Sequence, residues 1–112
     1  MAKVKLGFKD LSVPSQIERT RLIITSLTGN VNFVSPNPTL AALTLAVNAL
    51  EIAYNKSRGR DKNEVAIMRL RRKELLVLIA QLAAYVQNAS GGDKEIILSS
   101  GFDVTNHNSI AP

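Results

Sequence analysis

Cysteine and tryptophan are absent from this chain of 112 residues, which has only three phenylalanines and two tyrosines. Without cysteine, the chain can form no disulfide, no thiolate metal site and no cysteine nucleophile, and this composition fits a reducing compartment. The apolar residues are mainly Leu, Ile, Val and Ala, which favours helix-on-helix packing. The single histidine, His107, has no second histidine or cysteine with which to bind a metal. We therefore expect no metal site.

Sequence motifs of the common enzyme classes are also missing. The chain contains no GxxxxGK or GxGxxG loop and no aspartate-rich calcium loop. Most of its acidic residues lie in the first turns of predicted helices, where they stabilise the helix dipole. These residues are Glu18, Asp61, Glu64, Asp93 and Glu95. We predict that the protein is not an enzyme and has no catalytic residues, no cofactor and no small-molecule substrate.

No segment of the sequence is predicted to cross a membrane. The longest apolar run, Leu75 to Val86, would extend about 18 Å as a helix, whereas the hydrocarbon core is about 30 Å thick. The N-terminal segment MAKVKLGFKD has no long apolar run and is therefore not a secretory signal. We expect a cytoplasmic protein or a component of a particle assembled in the cytoplasm.

Four segments have the apolar spacing and the end residues of helices, at residues 14–28, 39–58, 62–89 and 93–100. Ser15 with Glu18 has the spacing of a capping box at the first helix. Asp61 is the expected cap of the third helix, and Asp93 that of the fourth. These signals place the helix ends without reference to any tertiary contact.

The second and third helices carry apolar residues at alternating spacings of three and four, which is the heptad pattern of a helix seam. The seam comprises Leu40, Leu43, Val47, Leu50 and Tyr54 in the second helix, and Val65, Met68, Arg72, Leu75, Ile79, Leu82 and Val86 in the third. Because the turn between them, Gly59 to Asp61, is short, the two helices should pack antiparallel. The sequence therefore predicts one all-α domain over residues 1–112, a small antiparallel helical bundle.

Extended segments are expected at both ends of this bundle, an arm at residues 1–10 and a tail at residues 102–112. Phe8 and Phe102 lie in these two segments, which we expect to pair as a two-stranded cap. An irregular crossing between the first and second helices contains Phe33 and Val34. Both side chains are expected to pin the crossing to the core.

The central helices contain more apolar residues than a bundle core needs. A bundle helix requires about three to four apolar positions per two turns, whereas residues 75–80 cover the full circumference of the third helix. The first and fourth helices are too short to cover it. We therefore predict a homo-oligomer or a protein partner, with the interface candidates Leu45, Ile52, Leu76, Leu78 and Arg72. Arg72 is the only polar residue on the seam, and we expect the helix to leave its own core there, into solvent or against an acidic partner.

A basic cluster supports an alternative hypothesis, nucleic-acid binding. The cluster comprises Arg58, Arg60, Lys62, Arg69, Arg71, Arg72 and Lys73. A helix places residues 62, 69 and 72–73 near one face, which would form a stripe able to contact phosphates. No helix-turn-helix, ribbon or aromatic stacking motif accompanies the cluster. Nucleic acid is therefore a possible partner but not the favoured one.

Several strings of the sequence resemble a group of bacterial proteins of unknown function. They are LSVP, LTGNVNFVSPNPTLAALTLAVNALEIAYN, LAAYVQNASGGD and IILSSGFDV. The resemblance is to a helical N-terminal region that often precedes a fibronectin type III-like domain. It implies a structural or adhesive module with no catalytic residues. The leading hypothesis is a non-enzymatic helical assembly module, and a virion or mobile-element component is a third hypothesis.

Overall fold

The protein, described here over residues 1–105 of a computed structural model, is mostly helical. Helices α1 to α4 span Val13–Leu27, Leu40–Ser57, Lys62–Ser90 and Lys94–Ser99, and strands β1 and β2 span Val4–Lys5 and Asp103–Val104. A 3-10 turn at Phe8–Asp10 precedes α1. The predicted all-α fold is confirmed, and every predicted helix end lies within one residue of the observed end.

Polar side chains cap the N-termini of the helices. The Ser12 hydroxyl accepts a hydrogen bond from the Ser15 backbone N–H at 3.3 Å and so begins α1. Asp61 and Asp93 cap α3 and α4 in the same way, as predicted. Each cap satisfies an N–H group that has no partner inside its helix. The predicted capping box of Ser15 and Glu18 is wrong, because the chain already enters the helix at Ser12.

The core lies between α1 and the antiparallel α2–α3 hairpin. The seam predicted from the heptad spacing forms its centre: Leu43, Val47, Leu50, Leu75, Ile79, Leu82 and Val86 are all at most 1% exposed. Ile23 and Leu27 complete the core from α1, and Ile97 from α4. Burial of each large aliphatic side chain contributes about 1.5–3 kcal/mol relative to exposure.

The bundle is thin in one direction, with principal extents of 50 × 34 × 17 Å. Packed helix axes lie about 8–10 Å apart and the Cα cylinder has a radius of about 2.3 Å, so 17 Å corresponds to two layers of helices. One layer is the α2–α3 hairpin, and α1 lies in the other, where it packs mainly against α2. Among the described residues, no helix covers the opposite side of the hairpin.

The two ends of the described chain pair with each other. Strands β1 and β2 are antiparallel, with Val4 opposite Val104. The Phe8 and Phe102 rings are buried beside this pair with their centroids 6.4 Å apart. The expected two-stranded cap is therefore present. The remainder of the predicted tail, residues 106–112, lies outside the described residues and includes His107.

Only one of the two residues expected to pin the α1–α2 crossing does so. Phe33 is 2% exposed, and its ring lies 6.0 Å from that of Tyr85 on α3. Val34 is 83% exposed, so its predicted burial is wrong. Phe33 anchors the crossing, whereas Val34 lies exposed at a groove that it lines together with Phe33 and Leu40.

Candidate interaction surfaces

The side of the α2–α3 hairpin opposite α1 carries a set of large apolar side chains, which we call the outer hairpin face. Its members are Leu45 and Ile52 of α2 and Ile67, Leu70 and Val77 of α3, with exposed fractions of 73, 59, 42, 49 and 51%. The spacing of seven between 45 and 52, and between 70 and 77, keeps these side chains on one side of their helices. The face therefore extends over both helices.

A shallow groove runs between the two helices on this face. Its walls are Ala49, Ile52, Ala53 and Lys56 from α2, and Glu64, Ile67 and Arg71 from α3. Ala49 and Ala53 have small side chains, which leave room for the groove. The larger side chains of Ile52 and Ile67 line its opposite walls. The groove is thus apolar at its centre and charged at its edges.

The charges around this groove balance one another. Lys56 and Arg71 carry positive charge, and Glu64 and Glu74 carry negative charge. Arg71 Nη1 donates to Glu74 Oε1 at 3.0 Å, in a partly exposed pair spaced three residues apart on α3. The outer hairpin face is therefore close to neutral, although the whole chain has a net charge of +5.

The structure separates the four apolar interface candidates into two pairs. Leu45 and Ile52 lie on the outer hairpin face, as described above. Leu76 and Leu78 are half-buried and pack against the core. Leu76 faces the N-terminal segment, where Leu6 and neighbouring residues line a groove with it. The arm thus covers a side of α3 that sequence reasoning left open.

No residue of α3 before Leu75 is buried, so the helix does leave the core near Arg72. The expectation that Arg72 faces open solvent or an acidic partner is wrong. Its Nε donates to Gln16 Oε1 at 3.0 Å, and its Nη2 donates to the Lys9 carbonyl oxygen at 2.8 Å. Gln16 is fully buried in α1, and its Nε2 donates to the Phe8 carbonyl oxygen at 2.6 Å. The Arg72 guanidinium therefore finds its hydrogen-bond acceptors within its own chain. It does not need an acidic partner from another protein.

The predicted basic cluster does not form one surface. Arg71 pairs with Glu74 beside the groove, and Arg72 is held by α1 and the arm. Arg58 and Arg60 lie exposed in the hairpin turn. The remaining three residues, Lys62, Arg69 and Lys73, are exposed and share one side of α3. Only these three are placed as a stripe along the helix.

Sequence reasoning missed three members of the outer hairpin face, namely Ile67, Leu70 and Val77. Their signal is a second apolar stripe on α3, offset from the seam and interrupted by Glu74. That acidic residue makes the stripe resemble a solvated helix face. Its pairing with Arg71, three residues earlier, agrees with the spacing of charged neighbours on a helix.

Within residues 1–105, no helix is long and apolar enough to span a bilayer. The same part of the chain contains no group of three or more His, Cys, Asp or Glu residues placed to hold a metal ion. Comparisons with protein-family models, with curated proteins and with solved structures found no match to this chain.

Proposed function

We propose that this chain is a non-enzymatic assembly module whose outer hairpin face binds the same face of a second copy. The observation that carries the proposal is the set of five large apolar side chains, 42 to 73% exposed, on one side of a molecule two helices thick. Contiguous exposed apolar surface marks interaction sites in soluble proteins. Its removal from water is favourable by about 25 cal/mol per Å².

A second copy is the partner that fits the charge distribution. The chain carries a net charge of +5, so most orientations of two copies bring like charges together. The outer hairpin face avoids this repulsion because its basic and acidic residues balance. A two-fold axis that passes between Arg71 and Glu74 would also bring Arg71 of each copy towards Glu74 of the other. Such self-complementarity is what a two-fold symmetric interface requires.

The size of the hairpin is sufficient for such an interface. The 18 residues of α2 give a length of about 27 Å, and two packed helices are about 20 Å wide. Two copies stacked over this footprint would cover roughly 1,000 Å² in total, which is the lower bound for a specific interface. The paired hairpins would form a four-helix layer with α1 of each copy on its outer sides.

Two features of the sequence support a non-enzymatic role. The residue types needed for thiol chemistry are absent, and phosphate-binding glycine motifs are missing. The resemblance to the helical region that precedes a fibronectin type III-like domain implies a structural or adhesive module. We include membership of that group in the proposal, with the paired hairpin as its means of assembly.

The proposal is tested by placing charge at the centre of the groove. The double substitution Ile52→Glu and Ile67→Glu puts two carboxylates on each side of the interface, where they are desolvated and repel one another. Size-exclusion chromatography with light scattering should show a dimer for the unmodified chain and a monomer for the variant. Circular dichroism checks that the variant remains helical.

The matched control is Leu22→Glu with Val34→Glu. These residues are 51% and 83% exposed and lie away from the outer hairpin face. The control changes the charge and the apolar content in the same way, so it should leave the dimer intact. A monomer at high concentration for the unmodified chain would overturn the proposal, and so would equal dissociation of both variants.

A further inference from the structure

The N-terminal arm runs along α3 in the opposite direction. The Val4 N–H donates to Gln87 Oε1 at 2.8 Å, near the end of α3. The Lys9 carbonyl oxygen accepts from Arg72 near the middle of the helix. Between these contacts, residues 6–9 line a groove with Leu76, Ile79 and Ala80 of α3. The arm therefore occupies one side of the C-terminal half of α3.

The side of α3 that the arm occupies is the side that carries cations in the N-terminal half. Lys62, Arg69 and Lys73 are spaced by seven and four residues and share this side. Lys9 of the arm lies close to Lys73, because Arg72, the residue before Lys73, donates a hydrogen bond to the carbonyl oxygen of Lys9. Two further lysines of the arm, Lys3 and Lys5, are exposed. We call the complete set the basic edge: Lys3, Lys5, Lys9, Lys62, Arg69 and Lys73.

The basic edge contains the whole surplus of positive charge. The chain has 14 basic and nine acidic residues. Without the six residues of the edge, eight basic residues face nine acidic ones, and the rest of the chain is close to neutral. Acidic residues adjoin the edge, since Asp61 precedes Lys62 and Asp10 follows Lys9. Asp103 lies opposite Lys5 in the strand pair and is paired with Arg19 at 3.3 Å. Two cation clusters that are far apart in the sequence therefore form one electrostatic feature.

We propose that the basic edge binds the phosphate backbone of duplex nucleic acid without regard to base sequence. The edge follows α3 from Lys62 to the level of Gln87, which is about 37 Å. One turn of a B-form duplex is about 34–36 Å long, so the edge can span a full turn and meet phosphates where it crosses the strands. Contacts to phosphates alone fix position and carry no sequence information.

Two observations favour a duplex over other anionic partners. Binding of single strands relies on aromatic side chains that stack on bases, but the aromatic residue next to the edge, Phe8, is only 4% exposed. Peripheral membrane binding requires a broad apolar face in the same plane as the cations. The main exposed apolar set instead extends from α3 across the groove to Leu45 and Ile52 of α2, away from the arm. The edge lies on a helix and on a paired strand, which are rigid elements. A duplex is also a stiff partner.

Fluorescence anisotropy with a labelled duplex of about 24 base pairs, two turns, tests the proposal directly. Binding should be tight at about 50 mM salt and should weaken steeply as salt is raised to about 300 mM. Six phosphate contacts predict a slope of log K against log salt of about −5. A second duplex of unrelated sequence should bind with the same affinity.

Matched double substitutions then test whether both parts of the edge contribute. Lys5→Gln with Lys9→Gln removes charge from the arm, and Arg69→Gln with Lys73→Gln removes it from α3. Each pair should weaken binding at least about tenfold at low salt and reduce the slope by about two. The control pair Arg21→Gln with Lys56→Gln makes the same change in net charge on the α2 side of the molecule and should have little effect.

Several results would overturn the proposal. They are the absence of duplex binding at low salt, equal losses for all three pairs, and a loss confined to the α3 pair. Stronger binding to anionic vesicles or to polyglutamate than to the duplex would also overturn it. Lys73 lies one helical turn from Leu70 and Val77 of the outer hairpin face, and Lys56 lines its groove, so sedimentation of each variant checks that the proposed dimer is retained.

Discussion

The Arg72 guanidinium of α3 donates to the amide oxygen of Gln16 in α1 at 3.0 Å, across 56 residues of sequence. Gln16 is fully buried, and its amide nitrogen donates in turn to the Phe8 carbonyl oxygen. A second nitrogen of Arg72 binds the Lys9 carbonyl oxygen. Arg72, the one polar residue on the seam of α3, therefore connects both the arm and α1 to the hairpin through hydrogen bonds.

Replacement of Arg72 by Met should destabilise the fold, although it places an apolar side chain on an apolar seam. The substitution leaves the buried Gln16 oxygen without its donor, which costs about 1–3 kcal/mol. Urea unfolding followed by circular dichroism measures this change. The control is Arg69→Met, one turn earlier and exposed, which should change stability by less than about 0.5 kcal/mol.

The interaction between Arg72 and Gln16 should appear as coupling in a double-mutant cycle. Gln16→Met together with Arg72→Met removes both partners, so the double variant should lose less stability than the sum of the two single variants. The expected difference is at least about 0.5 kcal/mol. Strict additivity would show that the two side chains do not act together.

Gly101 should be less tolerant of substitution than Gly29, although both adopt positive φ. A Cβ atom at Gly101, with φ of 90°, would lie 3.0 Å from the Ile23 Cα atom, whereas none lies within 4 Å at Gly29. Gly29→Ala should cost about 1–2 kcal/mol from the left-handed backbone alone. Gly101→Ala adds overpacking of about 1–3 kcal/mol. Equal losses in thermal unfolding would contradict the close approach of this turn to α1.

The same substitution should have opposite effects at two positions of the hairpin turn. Arg60 has a φ of 66°, a region that is strained for residues with a Cβ atom, so Arg60→Gly should stabilise the fold by about 0.5–1 kcal/mol. Arg58 has a φ of −65°, and Arg58→Gly should destabilise it by about 0.5–1 kcal/mol. Chemical denaturation of both variants measures the signs, and loss of stability in Arg60→Gly would contradict the turn geometry.

Local sequence signals predicted the helices and the core of the hairpin well. The alternation of Leu43, Val47 and Leu50 in α2 identifies the buried side because the helical repeat alone determines which residues share a face. Asp61 identifies the start of α3 by the same local logic. Paired ends of the chain were also expected, because Phe8 and Phe102 are apolar residues in extended segments.

Features that depend on distant contacts could not be predicted in the same way. Arg72 has acceptors only because Gln16 and Lys9 approach it in the fold. Leu76 is half-buried because the arm covers it, and the apolar spacing in α3 does not predict that contact. The division of the basic cluster has this origin only at Arg72, because the pairing of Arg71 with Glu74 three residues later is one that the helical repeat predicts. The periodicity of the sequence thus predicts the helices. Which of their surfaces stay exposed to a partner depends on tertiary contacts.

The most direct test of the account is sedimentation equilibrium of the unmodified chain from about 10 to 500 µM, at low and high salt. Association through a neutral apolar face predicts a dimer of the 12.2-kDa chain that persists or strengthens as salt screens the net charge of +5. A monomer at every concentration would contradict assembly through the outer hairpin face. A dimer that dissociates as salt is raised would contradict the apolar character assigned to it.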